Sequence, residues 1–407
     1  MRIAITGPDI LLNKGGTKTH AINVLQLLVK YFEITYLPDL YLYKSYLKRK
    51  EEVAVSVSEI GKLGIRIPEY FLRFLGEKGG YKKIMDTYLK EKFDFIFSFE
   101  FINSSIVPTN FTYDLSKRMK VKFGICIHAL GDFDMHTPYY IFSSVMMSGD
   151  FRLFLYRIYH YINRKLLLAI LPKMRNLSFV AVVNAEYYKN VRINFRNVEI
   201  LDPSNGIGNS GDRQVSVDEF GKENKVIFFS RLTYTKGLFD ILKISRRIAE
   251  DSDLKVVVVG KFEWEHERKR FFKLVRGYGL LDRIQFKGYL DDDDLFKEIA
   301  TSKVMVYPSH SDSFSRAVLQ ALSVGTPVVA YDIAGLGAYR NLKAVKLVKE
   351  FDYDKMASEA LRIASLNSKD ELFDNDFHSF MRRFNWENVA LKYKELFDKY
   401  AISSLSN

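Results

Sequence analysis

The sequence contains a single cysteine, Cys126, among its 407 residues. One thiol excludes an intramolecular disulfide and a zinc site built on cysteines. Because Cys126 lies in the apolar run 121–127, we expect it to be a small core residue of a strand. No apolar run approaches the roughly 20 residues that span a bilayer, and the first strand-like residues do not resemble a secretory signal. The sequence therefore predicts a cytoplasmic protein.

Repeats, low-complexity tracts and nucleic-acid-binding signatures are also missing. Apolar residues make up 47% of the sequence and charged residues 27%, which is typical of a folded globular chain with room for two domains. The net charge of +12 favours polyanionic partners. Without a helix-turn-helix, zinc-finger or RNA-binding motif, we expect phosphorylated substrates and an anionic membrane surface rather than nucleic acid.

Strand and helix patterns alternate through both halves of the chain, which predicts an α/β protein with doubly wound parallel sheets. The turn-rich run 202–208 separates the halves, so we place the boundary between residues 203 and 204. The strands predicted in the first half are Arg2–Thr6, Ile34–Leu37, Phe93–Phe97, Val121–Ile127 and Phe179–Asn184. Those predicted in the second half are Lys225–Ser230, Lys255–Gly260, Ile284–Phe286, Val304–Tyr307 and Pro327–Tyr331.

The strand Val304–Tyr307 leads into a polar loop, a helix and a Gly-Thr-Pro turn, which is the layout of a ligand site at the carboxyl end of a parallel sheet. The first amides of a helix have no intrahelical acceptor and carry a fractional positive charge, so the stretch Ser313–Arg316 favours a phosphate. Asp312 precedes this helix, and Gln320 lies about two turns further on.

Two cations and two glycines follow other predicted strands. Arg231 and Lys236 flank one loop after the strand Lys225–Ser230, where they could neutralise a diphosphate, although most such charges are only solvated. Gly15 and Gly16 follow the first strand, and paired glycines allow backbone amides to approach a phosphate or simply form a turn.

Three segments, in order along the chain, resemble retaining glycosyltransferases of the GT-B fold, in particular family GT4, the glycosyl transferases group 1. They are Lys14–Thr17, Phe229–Gly237 and the region from Val304 to Ala330. The resemblance implies two Rossmann-like domains facing a cleft, 1–203 on the acceptor side and 204–386 binding a nucleotide sugar. It also implies that the last helix, within 387–407, crosses back to the first domain.

The resemblance further implies sugar transfer with retention of configuration from a UDP- or GDP-sugar to a glycan or lipid-linked acceptor, without a metal or other cofactor. By the same resemblance His128, at the end of a strand, contacts the donor sugar, although a lone histidine is usually structural. The catalytic candidates are His128, Arg231, Lys236 and Asp312. The donor-binding candidates are Gly15, Gly16, Tyr289, Ser313, Phe314, Ser315 and Gln320.

The sequence departs from the GT4 pattern at three positions. Asp312 and Gln320 stand where two glutamates are usual, and Ser230 replaces a glycine. A glutamine can still accept a hydrogen bond, but more weakly than a carboxylate. These departures leave open a catalytically silent nucleotide-sugar-binding subunit, and an epimerase is a further alternative.

Two other patterns carry alternatives. Asp132–Asp134 and Asp251–Asp253 each resemble the Asp-x-Asp motif of metal-dependent glycosyltransferases, but such triplets are common by chance. The basic, aromatic-rich region 139–175 suits an anionic membrane surface, which would place the protein at the inner face of the membrane. It suits equally a helix that buries its aromatic residues in its own domain.

Overall fold

A computed structural model describes residues 1–12, 16–100, 110–128, 168–191, 193–207 and 221–401, together with isolated positions between 142 and 166. The chain divides into two compact units. Unit 1 comprises Met1–Leu130, Tyr159–Gly206 and Trp386–Asn407, and unit 2 comprises Gly131–Ile158 and Ile207–Asn385.

Unit 1 is built on a parallel sheet of six strands among its described residues, in the order β2-β1-β3-β4-β5-β6. The strands are β1 (Arg2–Gly7), β2 (Glu33–Tyr36), β3 (Phe95–Ser98), β4 (Phe123–Ile127), β5 (Leu177–Val182) and β6 (Val198–Ile200). The helices are α1 (Gly16–Leu28), α2 (Tyr43–Lys48), α3 (Lys50–Gly61), α4 (Glu69–Phe74), α5 (Gly80–Tyr88), α6 (Phe111–Met119), α7 (Ala185–Val191) and α14 (Trp386–Ala401).

The last helix, α14, packs in unit 1 because one face of it is apolar. Trp386, Tyr393 and Phe397 on that face are buried. The Tyr393 hydroxyl lies 3.0 Å from Nε2 of His20 on α1 and 3.4 Å from Sγ of Cys126 on β4. Cys126 is fully buried, which raises the pKa of its thiol to about 12 and confirms the prediction of a core cysteine.

Unit 2 also contains a six-stranded parallel sheet in the part of the chain that the structure describes, in the order β12-β11-β10-β7-β8-β9. The strands are β7 (Lys225–Phe229), β8 (Lys255–Val259), β9 (Ile284–Gly288), β10 (Val304–Tyr307), β11 (Val328–Tyr331) and β12 (Val345–Val348). The helices are α8 (Asp240–Asp251), α9 (Glu265–Gly277), α10 (Asp292–Thr301), α11 (Arg316–Ser323), α12 (Tyr353–Ala364) and α13 (Asn375–Arg383).

Local sequence explains how these elements form. The runs at β7 and β10 are wholly buried, as expected for strands covered by helices on both faces. The acidic run before α10 caps that helix, since the Asp291 carboxylate accepts the amide of Asp294 at 3.0 Å. All ten predicted strands are present, whereas β6 and β12 escaped the sequence analysis. No helix among the described residues is long and apolar enough to cross a membrane.

Candidate functional site

The strand order of unit 2 reverses at β7. The chain leaves β7 toward β8 on one side, and β10 pairs with β7 on the other side. In open parallel sheets, ligands bind beyond the carboxyl ends of the strands at such a switch point. The loops that follow β7 and β10 carry Lys236 and Asp312. The topology therefore brings two of the candidate residues to one end of one sheet.

Lys236 and Asp312 form a largely buried ion pair at this point. The Lys236 ammonium donates to Asp312 Oδ2 at 3.0 Å and to the carbonyl oxygen of Ser311 at 2.7 Å, and the two side chains are 12% and 15% exposed. The Tyr307 hydroxyl, at the end of β10, donates to the same Oδ2 at 2.6 Å. Burial and the Asp312 charge raise the pKa of Tyr307, so this hydroxyl keeps its proton.

Two glycines allow the loops to come this close. Gly237 ends the short 3₁₀ turn that holds Lys236, with a φ of 79°. A Cβ at Gly237 would lie 2.1 Å from the carbonyl oxygen of Pro308, and a Cβ at Gly335 would lie 1.9 Å from that of Asp312. Any side chain at either position would force the backbones apart. The spacing of Lys236 and Asp312 therefore depends on positions that have no side chain.

Arg231 differs from Lys236 in its exposure. Its side chain is 69% exposed, and its guanidinium lies 3.4 Å from the Glu263 carboxylate. An exposed ion pair of this kind contributes about 1 kcal/mol or less of interaction free energy. Arg231 can therefore turn toward a ligand at little energetic cost. The structure thus joins Lys236 to the loop after β10 and leaves Arg231 at the surface.

The start of α11 supplies the next candidates. Ser315 caps the helix, with its hydroxyl accepting the amide of Val318 at 3.3 Å. The amides of the preceding turn lie at the positive end of the helix, where an anion is favoured. Phe314 is buried, with its ring 5.4 Å from Tyr339 and 5.5 Å from Phe384 between centroids. Its side chain thus anchors the loop, so any donor contact would come from its backbone.

The remaining candidates of unit 2 lie on three different segments. Ser313 is partly exposed just before the cap, and Gln320 is partly exposed on the second turn of α11. Tyr289 follows the end of β9 and is 77% exposed. All three lie on segments that follow or begin at the carboxyl end of the sheet, and their roles as donor contacts stay predictions.

Unit 1 places its candidates at the carboxyl ends of β1 and β4. Gly16 is the first residue of α1, and a Cβ there would meet no atom within 4 Å, whereas Gly15 lies outside the described residues. His128 follows β4, with its ring 4.3 Å from that of His20, and burial lowers its pKa to about 4. Its buried Nε2 has no hydrogen-bond partner in the described part of the chain. His128 therefore presents a neutral imidazole nitrogen.

A buried charged cluster that sequence reasoning missed lies beside the site. His310, two residues before Asp312, is 1% exposed, with Nε2 2.7 Å from Asp240 Oδ2 and Nδ1 3.0 Å from Glu350 Oε1. These three residues are far apart in sequence, so no local motif could have grouped them. The only sequence signal was a histidine inside the motif that follows β10.

One of the two Asp-x-Asp triplets lies away from this site. Asp251 ends α8, and Asp253 pairs with Arg283 before the start of β8, at the opposite end of the strands from Lys236. Asp132 and Asp134, and most of the region 139–175, lie outside the described residues. Among the described residues, no group of three histidine, cysteine or acidic side chains could hold a metal ion.

Solved structures that are similar to this chain define the class of fold. One is the HepE protein of Anabaena, in complex with UDP and glucose, with a TM-score of 0.66 and 14% identity over 98% of this chain and 100% of that one. Another is sucrose-phosphate synthase from Thermosynechococcus elongatus, with a TM-score of 0.65 and 16% identity over 98% of both chains. The two parallel sheets and these neighbours confirm the predicted GT-B fold of glycosyltransferases.

Sequence comparison matches part of the chain to a family. Residues 212–372 match the model for the family described as Glycosyl transferases group 1, which confirms the predicted resemblance to that group. A similar curated protein is an uncharacterized glycosyltransferase of Methanocaldococcus jannaschii, 26% identical over 183 residues, which are 44% of this chain and 45% of the relative. The chain spans about half the length of the curated relatives it matches.

Proposed function

We propose that this protein is a glycosyltransferase that moves a sugar from a nucleotide diphosphate sugar to a glycan or lipid-linked acceptor, with retention of configuration as in family GT4. The observation that carries the proposal is the Lys236–Asp312 pair across the switch point of unit 2. It puts a buried ammonium beside the start of α11, where a diphosphate would meet two sources of positive charge.

The chemistry required of this site is charge stabilisation. When the bond between sugar and phosphate breaks, negative charge grows on the departing diphosphate, and preorganised cations in a site shielded from water lower that barrier. Lys236 is held in place by Ser311 and Asp312, and Arg231 can turn from Glu263 toward the same anion. Because these two side chains supply the positive charge, the proposal requires no metal ion.

Support for a nucleotide sugar as donor comes from two sources. The family match covers most of the described part of unit 2, and the neighbouring HepE structure contains UDP and glucose. We propose UDP- or GDP-linked sugars as the donors. The acceptor would be met by unit 1, at the inner face of the membrane if the acceptor is a lipid. Gly16 stays a donor-binding candidate and His128 a catalytic candidate, as the family resemblance implies.

The test is an incubation of the full chain with UDP- and GDP-sugars, with and without a lipid extract and with EDTA in a parallel set. We expect nucleotide release that depends on the acceptor, persists in EDTA and is lost in Lys236→Met. The matched control is Lys255→Met, which removes a lysine at the start of β8, the opposite end of the strands. Binding without release would favour a silent subunit, and conversion of the donor without acceptor would favour an epimerase.

A further inference from the structure

The cluster around His310 lies directly behind the proposed site. The His310 amide donates to the carbonyl of Thr235 at 3.0 Å, which ties the loop after β10 to the turn that holds Lys236. The next residue, Ser311, accepts the Lys236 ammonium, and the one after that is Asp312. A shift of the His310 backbone would therefore move both acceptors of Lys236.

Two carboxylates lie against the His310 ring, and this arrangement favours the protonated form of the ring. Nε2 and Nδ1 lie 2.7 and 3.0 Å from carboxylate oxygens of Asp240 and Glu350. A neutral imidazole has one N–H, so one nitrogen would present its lone pair to a carboxylate. The imidazolium donates from Nδ1 to Glu350 and places its positive charge against the Asp240 carboxylate, so it compensates one of the two buried negative charges.

Aromatic rings and further hydrogen bonds surround the His310 ring and its carboxylate partner Asp240. The ring stacks on Phe351 at 4.8 Å between centroids and lies 5.3 and 5.7 Å from the rings of Tyr331 and Tyr234. The hydroxyls of Tyr331 and Tyr353 donate to Asp240 at 3.1 and 3.4 Å, and Lys243 donates to the Tyr353 hydroxyl at 3.1 Å. The Lys236–Asp312 ion pair involves the same loop, since Asp312 is two residues after His310.

Backbone strain marks the same place. Phe351, which stacks on His310, has a φ of 67°, in the left-handed region that non-glycine residues seldom adopt. Such strain persists only where the surrounding structure imposes it, and it is common beside functional sites. In this protein the strained residue, Phe351, lies against the ring that contacts Asp240 and Glu350.

We propose that His310 is a positioning residue, whose imidazolium, clamped between Asp240 and Glu350, fixes the loop 309–312 and so holds Lys236 and Asp312 ready for the diphosphate. The proposal rests on the proposed function of this site as a nucleotide-sugar site. It predicts a specific pH dependence. Burial alone would lower the pKa of His310, but the hydrogen bonds and charges of Asp240 and Glu350 raise it above the ordinary value. The clamp is therefore held while the ring is protonated and is lost as the pH rises through this raised pKa.

The experiment measures binding of UDP, GDP and ADP by calorimetry from about pH 6.5 to about pH 9.5, a range that contains the ordinary pKa of histidine and the region above it. We expect the wild-type chain to bind one of these nucleotides with an affinity that falls in the alkaline range. His310→Asn should bind roughly tenfold more weakly at neutral pH, because hydrogen bonds to charged groups are lost, and its affinity should no longer vary with this titration. His378→Asn, at an exposed histidine on α13, is the matched control and should follow the wild-type profile.

A second variant keeps the test valid if His310→Asn does not fold. Glu350→Gln retains the shape of the cluster but removes one carboxylate, so the alkaline loss should begin at a lower pH than in the wild type. A purely structural role would weaken binding equally at every pH, and that result would overturn the proposal. Identical profiles for the wild type and both variants would overturn it too. If the wild-type chain binds none of the three nucleotides at any pH, the proposed function itself fails.

Discussion

Replacement of Lys236 by methionine is the most direct test of how the site is held together. Methionine keeps the length and apolar character of the side chain but removes the ammonium that bonds to Ser311 and Asp312. The Asp312 carboxylate, 15% exposed, would then retain the Tyr307 hydroxyl as a donor but lose its countercharge. Removal of one partner of a buried ion pair usually costs about 3 to 5 kcal/mol of unfolding free energy. Because this pair is partly exposed, we expect a loss of about 3 kcal/mol for Lys236→Met.

A double variant separates the stability of the pair from its role in binding. In Lys236→Met with Asp312→Asn, no uncompensated charge remains, so we expect at least about 1 kcal/mol of the loss to be recovered as coupling energy. Nucleotide binding should not recover, because the cation is still absent. Lys255→Met, at the opposite end of the strands, should change the unfolding free energy by about 0.5 kcal/mol or less.

The assay is urea unfolding followed by tryptophan fluorescence in a shared Trp386→Phe background. Trp264 lies in unit 2 and Trp386 in unit 1, and the chain has no other tryptophan, so the remaining signal reports unit 2 alone. A loss below about 1 kcal/mol for Lys236→Met, or strictly additive effects in the double variant, would show that the pair contributes no more than a surface ion pair. The reasoning about this site would then be refuted.

Two further predictions concern other parts of the site. Gly237→Ala should lower the unfolding free energy of unit 2 by at least about 2 kcal/mol, because φ is positive there and the new Cβ would overlap Pro308. The control is Gly277→Ala, at the end of α9 with open space around it, which should be nearly neutral. The buried neutral His128, whose folded pKa of about 4 is below the unfolded value, should make the protein lose up to about 3 kcal/mol as the pH falls from about 6.5 to 4. His128→Gln should flatten that part of the pH profile in urea unfolding, and an unchanged profile would contradict the assignment.

The regular elements were predictable because their pattern is local. Buried strands such as Val304–Tyr307 are recognisable from four consecutive apolar residues. The polar motif after such a strand indicated which end of the sheet carries the candidate residues. The strand β12 was missed because it is a short edge strand, Val345–Val348, whose second residue is an exposed lysine. The sequence analysis therefore recovered the α/β architecture and the end of the sheet that carries the candidates.

The contacts within the site could not be predicted from the sequence. Lys236 was expected to face a ligand, and its bonds to Ser311 and Asp312 depend on a loop 75 residues further along the chain. Phe314 was expected at the donor, whereas its ring is buried against Tyr339 and Phe384, partners that only the folded chain brings near. Such pairings depend on the sheet order, which a periodicity in the sequence does not encode.

The close approach of Gly237 to Pro308 and of Gly335 to Asp312 has a practical consequence for anyone wishing to alter what this protein binds. Because these backbones are in direct contact, no side chain can be added at Gly237 or Gly335 without moving them. We therefore expect random substitutions at these positions to destabilise the protein. Tyr289 is exposed and Gln320 is partly exposed, so these two positions should tolerate libraries of variants. Variation is best confined to these two positions, with Gly237 and Gly335 kept unchanged.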